Sequence, residues 1–491
     1  MRDIIFTFFN YFVFFYTSML AIFFVTFAFL SFISLKRRKD YYVESYMRKT
    51  IKESPYTPGI SVIAPAFNEE KTIIDNVNSM LALEYPLFEV VIVNDGSTDS
   101  TLEKMTEYYE LVEVPYAYIE RIKTRPFRRL LKSSNPKYSR LIVVDKENGG
   151  TKADASNAGI NVSSYPYFIC TDVDCILEKY ALYRCISPII SSDKQVIAVS
   201  GTMLMANGCV VKDGQIVDVR TPRTPIPLFQ NLEYMRSYLI GKMGWSAING
   251  MPNVSGGFGL FDRSVAIAAG GYDGTSFAED MDLITRMVGY MCDFSRPYKI
   301  IQIPDTCCWT EGPPNLAMLY RQRTRWARGL FQTLNIHRKM IFKKTYKQMG
   351  LLTLPYMFVF EFLAPIIELV GLIVFIYLAF TGAVNWNTAW MIYLTIYTFC
   401  QFLSIVVITY DYYVGMLYKR GYEYLWIIIA SILEPIFYHP IITFCSLRGY
   451  LSYLTNRDFK WKNMERKGFK QKEENTDDAE TAAMKPEPAT I

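Results

Sequence analysis

The chain has 491 residues, of which 51% are hydrophobic and 15% aromatic, and its formal net charge is only +5. That length suits two to four domains with a large core, and so small a charge, without a basic stripe interleaved with aromatics, argues against a nucleic-acid partner. The presence of only two histidines, His337 and His439, argues against a His-based zinc site or catalytic triad and points to a metal held by oxygen ligands, as Mg2+ or Mn2+ is. The nine cysteines contain no CxxC pair and read as reduced, small apolar side chains.

Residues 1–40 read as one membrane segment with a basic flank. Ile4 to Leu35 carries no charge and is long enough to cross a bilayer. Lys36, Arg37, Arg38 and Lys39 follow at once, which sets the C-terminal end of this segment in the cytoplasm. A cleaved signal peptide fits poorly, because the apolar run is too long and lacks a small-residue cleavage site.

Residues 54–345 have the composition of an α/β domain. Ile60–Pro65, Val90–Val93, Leu141–Val144 and Tyr167–Cys170 read as buried strands, and Glu70–Leu83 as a helix. Short apolar runs alternating with helical patterns predict a Rossmann-like, mixed but mainly parallel sheet. Residues 115–140, rich in Arg, Lys and Pro, are expected to form an exposed basic loop. Two amphipathic faces follow, one made of Phe229, Leu232, Met235, Leu239 and Met243, the other of Leu319, Trp326, Leu330 and Leu334. Either lies on a membrane surface or covers the sheet.

Residues 346–455 return to membrane character. Phe362–Trp386 and Ala389–Tyr410 are two spans, whereas Tyr424–Tyr453, interrupted by Pro435 and Pro440, is a kinked span or a re-entrant or interfacial element. The tail 456–491 begins basic, which suits a cytoplasmic end after three spans, and from about Lys470 it has a disordered composition.

Polar residues collect where strands end, which is where a parallel sheet binds ligands. The first strand runs into Phe67, Asn68, Glu69 and Glu70. The second ends at Asp95, where a carboxylate can meet a base or ribose; the nearby Ser97 and Asp99 equally suit helix caps. Asp172-Val173-Asp174 sets two carboxylates one residue apart, a spacing that can reach a metal and a diphosphate. The loop Asn148–Ala153 brings Lys152 and backbone amides within reach of phosphate. Glu279 and Asp280 form an acidic pair at a helix start, either a cap or a general base for an acceptor hydroxyl. Gln322, Arg325 and Trp326 share a helix face that can hydrogen-bond, pair with phosphate and stack on a sugar ring.

This ordered set, with its flanking spans, resembles the processive family-2 glycosyltransferases of GT-A fold: cellulose, hyaluronan and poly-N-acetylglucosamine synthases, and most of all the bacterial exopolysaccharide synthases. The resemblance implies an enzyme that transfers sugar from a nucleotide-sugar, most simply a UDP-sugar, to a growing β-linked polysaccharide by an inverting, metal-dependent reaction with coupled export. It implies that Asp95 holds the nucleobase in a pocket lined by Pro65, Phe67 and Glu69. Lys152 would contact the diphosphate, and Asp174 would bind Mg2+ or Mn2+, with Asp172 supporting nucleotide and metal. Asp280 would be the base, while Glu279, Gln322, Arg325 and Trp326 serve the acceptor and diphosphate. Asn253–Gly257 resembles the segment beside the acceptor terminus.

The same resemblance implies an inner (plasma) membrane, multi-pass protein with a cytoplasmic catalytic domain and a glycan or lipid-linked acceptor. Glu361 and Glu368, flanking Pro365, are candidate polar contacts for an exported glycan. The family usually carries Thr where this chain has Ala278, and no cyclic-dinucleotide-binding domain is appended. One span before the catalytic domain implies a small channel, or one completed by an accessory export subunit or a second copy of the chain. The alternatives are a non-processive enzyme adding one sugar to a lipid and, more remotely, an inactive export scaffold.

Overall fold

The computed structural model describes residues 2–41, 44–115, 118–173, 175–212 and 214–455. Its centre is a ten-stranded mixed sheet. In chain order the strands are β1 (Ile60–Ala66), β2 (Phe88–Asp95), β3 (Leu111–Glu113), β4 (Phe127–Ser133), β5 (Leu141–Lys146), β6 (Tyr167–Thr171), β7 (Ile176–Leu177), β8 (Gln195–Met205), β9 (Val210–Lys212), β10 (Gln215–Asp218), β11 (Phe258–Asp262) and β12 (Tyr298–Thr310). The spatial order is β3-β4-β5-β2-β1-β6-β11-β8-β12-β7, with β9 and β10 forming a separate ribbon. The block β5-β2-β1-β6 is parallel. Beyond it β11 runs antiparallel to both β6 and β8, while β12 and β8 are again parallel. The GT-A-like mixed sheet expected from the sequence is therefore present.

The parallel strands are buried on both faces, so they read as unbroken apolar runs. Alternate residues feed opposite cores: Val91 and Val93 of β2 enter one, Val90 and Ile92 the other. The first core does not stop at the domain edge. It continues through Phe229 and Leu232 into Phe27, Leu403, Val407, Ile427 and Tyr438 of the apolar helices.

Among the described residues, three helices are long and apolar enough to cross a membrane: Tyr11–Arg38, Met349–Phe380 and Trp386–Val414. A fourth crossing is formed if Gly421–Phe437 and His439–Leu454, bent by 50° where they meet, count as one broken span. The break falls between Pro435 and Pro440, as proline chemistry requires. The second span begins earlier than its hydropathy suggested, because π-helical stretches at Met349–Thr353 and Met357–Phe362 carry the helix on.

Two expectations are corrected. Residues 115–140 are not all loop: 127–133 form β4, which buries Leu130 and Leu131 and pairs with β5, while Arg129 Nε bonds Asp145 Oδ2 at 3.1 Å. The helix expected from Glu70 begins at Ile73, because Glu69 to Thr72 is spent on a turn closed by the Thr72 amide on the Glu69 carbonyl. The first amphipathic segment covers the sheet and an apolar helix at once, whereas the second, within Leu316–Ile336, packs chiefly on the apolar helix His439–Leu454. Phe229 to Met243 is buried against β8 and the N-terminal helix. All nine cysteines are free thiols, and seven of them are buried.

Candidate active site

Three helices frame one cavity of about 450 Å3, and two of them start just behind a strand end. After β5 the chain turns through Asn148–Gly150, and Thr151 caps the helix Lys152–Val162 by accepting from the Asp154 amide. This fixes Lys152 at the first helical position. Its Nζ bonds Asp172 Oδ1, just beyond β6, at 2.6 Å and the Gly256 carbonyl at 2.7 Å. Burial opposes the Lys152 charge, but Asp172, the Cys170 sulfur and Glu279 outweigh it and hold the ammonium above the ordinary lysine range.

The amide of Gly256 donates to Asp280 Oδ2 at 3.0 Å, and the Met281 amide donates to Asp280 Oδ1 at 2.9 Å. Both oxygens of Asp280 are thus oriented by backbone amides at the start of the helix Glu279–Asp293. One five-residue segment, Asn253–Gly257, joins the Lys152–Asp172 pair to Asp280. Glu279 is raised above the usual carboxylate range, chiefly by burial; Arg325 pulls it back and Asp280 adds repulsion.

The third wall is the helix Leu316–Ile336, which brings Gln322, Arg325 and Trp326 to the cavity. Its approach depends on Gly329. A Cβ there would lie 2.6 Å from the Ala278 Cβ and 2.9 Å from the Ala278 amide nitrogen, so only glycine lets this helix close on the Glu279–Asp280 corner. Gln322 accepts from Gln230 Nε2 at 3.2 Å. Trp326 is held face-on by the guanidinium of Arg323, 4.4 Å from its ring centroid. Arg323 in turn makes two 2.6 Å bonds to Glu233 and one of 2.9 Å to the Tyr438 hydroxyl.

Of the residues singled out from the sequence, Lys152, Asp172, Glu279, Asp280, Gln322, Arg325 and Trp326 share this cavity, as do Asn253, Gly256, Gly257 and Glu361. Pro65, Phe67, Glu69 and Asp95 do not line it; they stand at the ends of β1 and β2. There the two loops zip together, the Asn68 amide donating to Ser97 Oγ and the Thr98 amide to Asn68 Oδ1. Thr72 Oγ1 bonds Glu69 Oε2 at 3.2 Å. Asp95 Oδ1 accepts from the fully buried Lys146 at 2.7 Å and from the Gly149 amide at 3.0 Å. Asp174 lies outside the described residues. Glu368 is not in the cavity; it accepts from Thr443 Oγ1 at 2.6 Å.

Sequence reasoning missed Lys146, Glu233, Lys242 and Arg323. For two of them a signal existed. Arg323 falls four residues after Leu319 and Lys242 three after Leu239, so each places a cation on an otherwise apolar helical stripe.

Comparison with known proteins agrees with this architecture. The model of glycosyl transferase family 2 matches residues 61–203, and that of glycosyl transferase family group 2 matches residues 222–444. Poly-beta-1,6-N-acetyl-D-glucosamine synthase of Staphylococcus aureus (strain COL) is 29% identical over 278 residues, covering 56% of this chain and 55% of that protein. The synthase of the same name from Staphylococcus epidermidis is 28% identical over 282 residues, 57% of each. The chain thus matches a little over half the length of these curated relatives. A solved mannosyltransferase from Pyrobaculum calidifontis, in complex with GDP-Man and Mn2+, aligns over 85% of this chain and 98% of its own with a TM-score of 0.47 and 18% identity. With two family models lying end to end over the sheet and the helices that follow it, the chain belongs to the family-2 glycosyltransferases.

Proposed function

We propose that this glycosyltransferase builds a β-linked polysaccharide from a UDP-sugar at a membrane, with UDP-N-acetylglucosamine the first donor to test. The observation that carries this reading is the coupling of three groups in one cavity: the Lys152–Asp172 pair, the amide-oriented Asp280, and the Trp326 helix. Lys152, a cation at a helix N-terminus, suits the donor diphosphate. Asp280 is free to take the proton of an acceptor hydroxyl while that oxygen bonds to the anomeric carbon, and the bond to the diphosphate breaks on the opposite face. Trp326 offers a stacking face for the acceptor sugar, and Gln322 a hydrogen bond. Asp95, with Pro65, Phe67 and Glu69 beside it, is assigned to the nucleoside.

A divalent cation fits this donor chemistry. The carboxylate of Asp172 faces the cavity, Asp174 follows two residues on, and oxygen ligands of this kind suit Mg2+ or Mn2+. Among the described residues no three His, Cys, Asp or Glu side chains form a metal cage, so the remaining ligands would come from the nucleotide and from Asp174. When bound, the ion neutralises charge on the leaving diphosphate.

Membrane residence rests on the three apolar helices and the bent pair. The catalytic sheet is assigned to the cytoplasm by Lys36 to Lys39. Glu361, Ile442, Ser446 and Tyr450 extend the cavity among those helices, which favours polymer growth beside an exit over transfer to a soluble acceptor. The test uses purified full-length chain in detergent, a panel of nucleotide-sugars with Mn2+ or Mg2+, and product sizing. A polymer ladder supports the proposal; a single lipid-linked sugar replaces it with single addition; no transfer from any donor refutes it.

A further inference from the structure

Lys242 ends the π-helical stretch Ser237–Lys242 and faces the same cavity as Asp280. It retains only 8% of its exposure, yet among the described residues its ammonium has no hydrogen bond and no ion pair. The Tyr238 ring supports it from 4.6 Å. Burial draws its pKa down to about 8, with Asp280 opposing, so it is still charged at neutral pH. Other buried cations of this chain are tied: Lys146 to Asp95 and Asp154, and Arg323 to Glu233. An ammonium that meets water only through the cavity and lacks such a partner is costly to the fold, and methionine would fill the same space without that cost. The arrangement makes sense if a partner arrives with the substrate.

The wall that carries Lys242 indicates which substrate. Its segment docks on the N-terminal apolar helix: the Ser31 hydroxyl donates to the Leu239 carbonyl, and a Cβ on Gly244 would meet the Phe27 Cβ at 2.7 Å. The diphosphate-side cation, Lys152, comes instead from the sheet and is already bonded to Asp172 and Gly256. Asp280, the assigned base, is the carboxylate that acts on Lys242. We propose that Lys242 is a binding residue for the acceptor sugar: its ammonium donates to an oxygen of the terminal sugar ring and sets the attacking hydroxyl against Asp280. This rests on the reading of Asp280 as base.

The experiment uses full-length protein in detergent, UDP-N-acetylglucosamine as donor and a β-linked N-acetylglucosamine trisaccharide as acceptor. Lys242→Met is expected to raise the acceptor KM at least about tenfold, the scale of one lost charge-assisted hydrogen bond. The donor KM should stay within about twofold, since the interaction is confined to the acceptor. Lys242→Arg, which keeps the charge, should recover most of the loss. Lys242→Gln serves if the methionine variant does not fold. An unchanged acceptor KM in a folded Lys242→Met protein, or a matching rise in donor KM, overturns the proposal. Absence of transfer by the wild-type chain with every donor would instead sink the reading on which it rests.

Discussion

The two ends of the cavity differ in how much of their charge is already satisfied. At the sheet end, Lys152 is bonded to Asp172 and to Gly256, and Gly256 to Asp280. At the helix end, Lys242 waits without a hydrogen bond among the described residues, and Trp326 presents a ring held by Arg323 from one side. A pre-bonded site costs little reorganisation at the moment of reaction, whereas an unbonded group draws its stabilisation from the ligand. The contrast suits a reaction in which one substrate is the same every cycle and the other changes length.

The strongest way to break this comparison is at its centre. Asp280→Asn keeps the shape and removes the proposed base, so nucleotide release during transfer should fall about a thousandfold, with nucleotide binding by calorimetry retained. If Asp280→Asn turns over like wild type, the two ends do not meet at that residue. Lys152→Met should cost about a hundredfold in turnover, the scale of one lost electrostatic donor, and should weaken donor binding more than acceptor binding. Equal weakening of both would erase the distinction between the ends.

Smaller effects sharpen the helix end. Arg323→Met leaves Glu233, itself about a third exposed, without its bidentate partner; a loss of about 2–3 kcal/mol is expected from thermal or denaturant unfolding in detergent. Gly329→Ala pushes the Trp326 helix off Ala278 and should cost about 1–3 kcal/mol, the range for overpacking. A third readout of the helix end is a pH dependence. Because the folded pKa of Lys242 lies near 8 and the unfolded value near 10.5, the unfolded chain binds the extra proton between them and stability rises with pH in that window. Lys242→Met should therefore melt higher than wild type below pH 8, and the gap should close as pH approaches 10.5. A gap that is flat across this range would mean that the folded ammonium is not depressed.

Much of the molecule was legible from the sequence because its signals are local. Buried strands such as Val90–Val93 are continuous apolar runs, and the carboxylates that follow them stand at strand ends in the fold. The two prolines that interrupt Tyr424–Tyr453 mark a real 50° bend. What could not be read are partners that meet only in the fold. Lys146 and Asp95 are 51 residues apart, and Arg323 and Glu233 are 90. β4 was hidden because, although it lies between β3 and β5, only Leu130 and Leu131 of its residues are buried, one toward each core, and the surrounding arginines look like loop. Asp95 sits beside the cavity and not in it, a separation no spacing rule conveys.

The bend has a consequence for motion. Tyr438 occupies the corner between the two short helices, and its hydroxyl bonds both Arg323 and Glu233. One turn along, Arg236 Nη2 grips Glu434 at 2.8 Å, and on the other helix Gly449 lies where a Cβ would meet the Thr324 carbonyl at 2.6 Å. The elbow is thus held to the tryptophan-bearing helix at Arg323 and where Gly449 meets Thr324, Ala327 and Arg328, and to the helix Pro225–Arg236 through Glu434. Straightening the elbow would have to break these contacts or carry the indole with it, so the angle of a helix pair and the tilt of one ring in the cavity form a single mechanical coordinate.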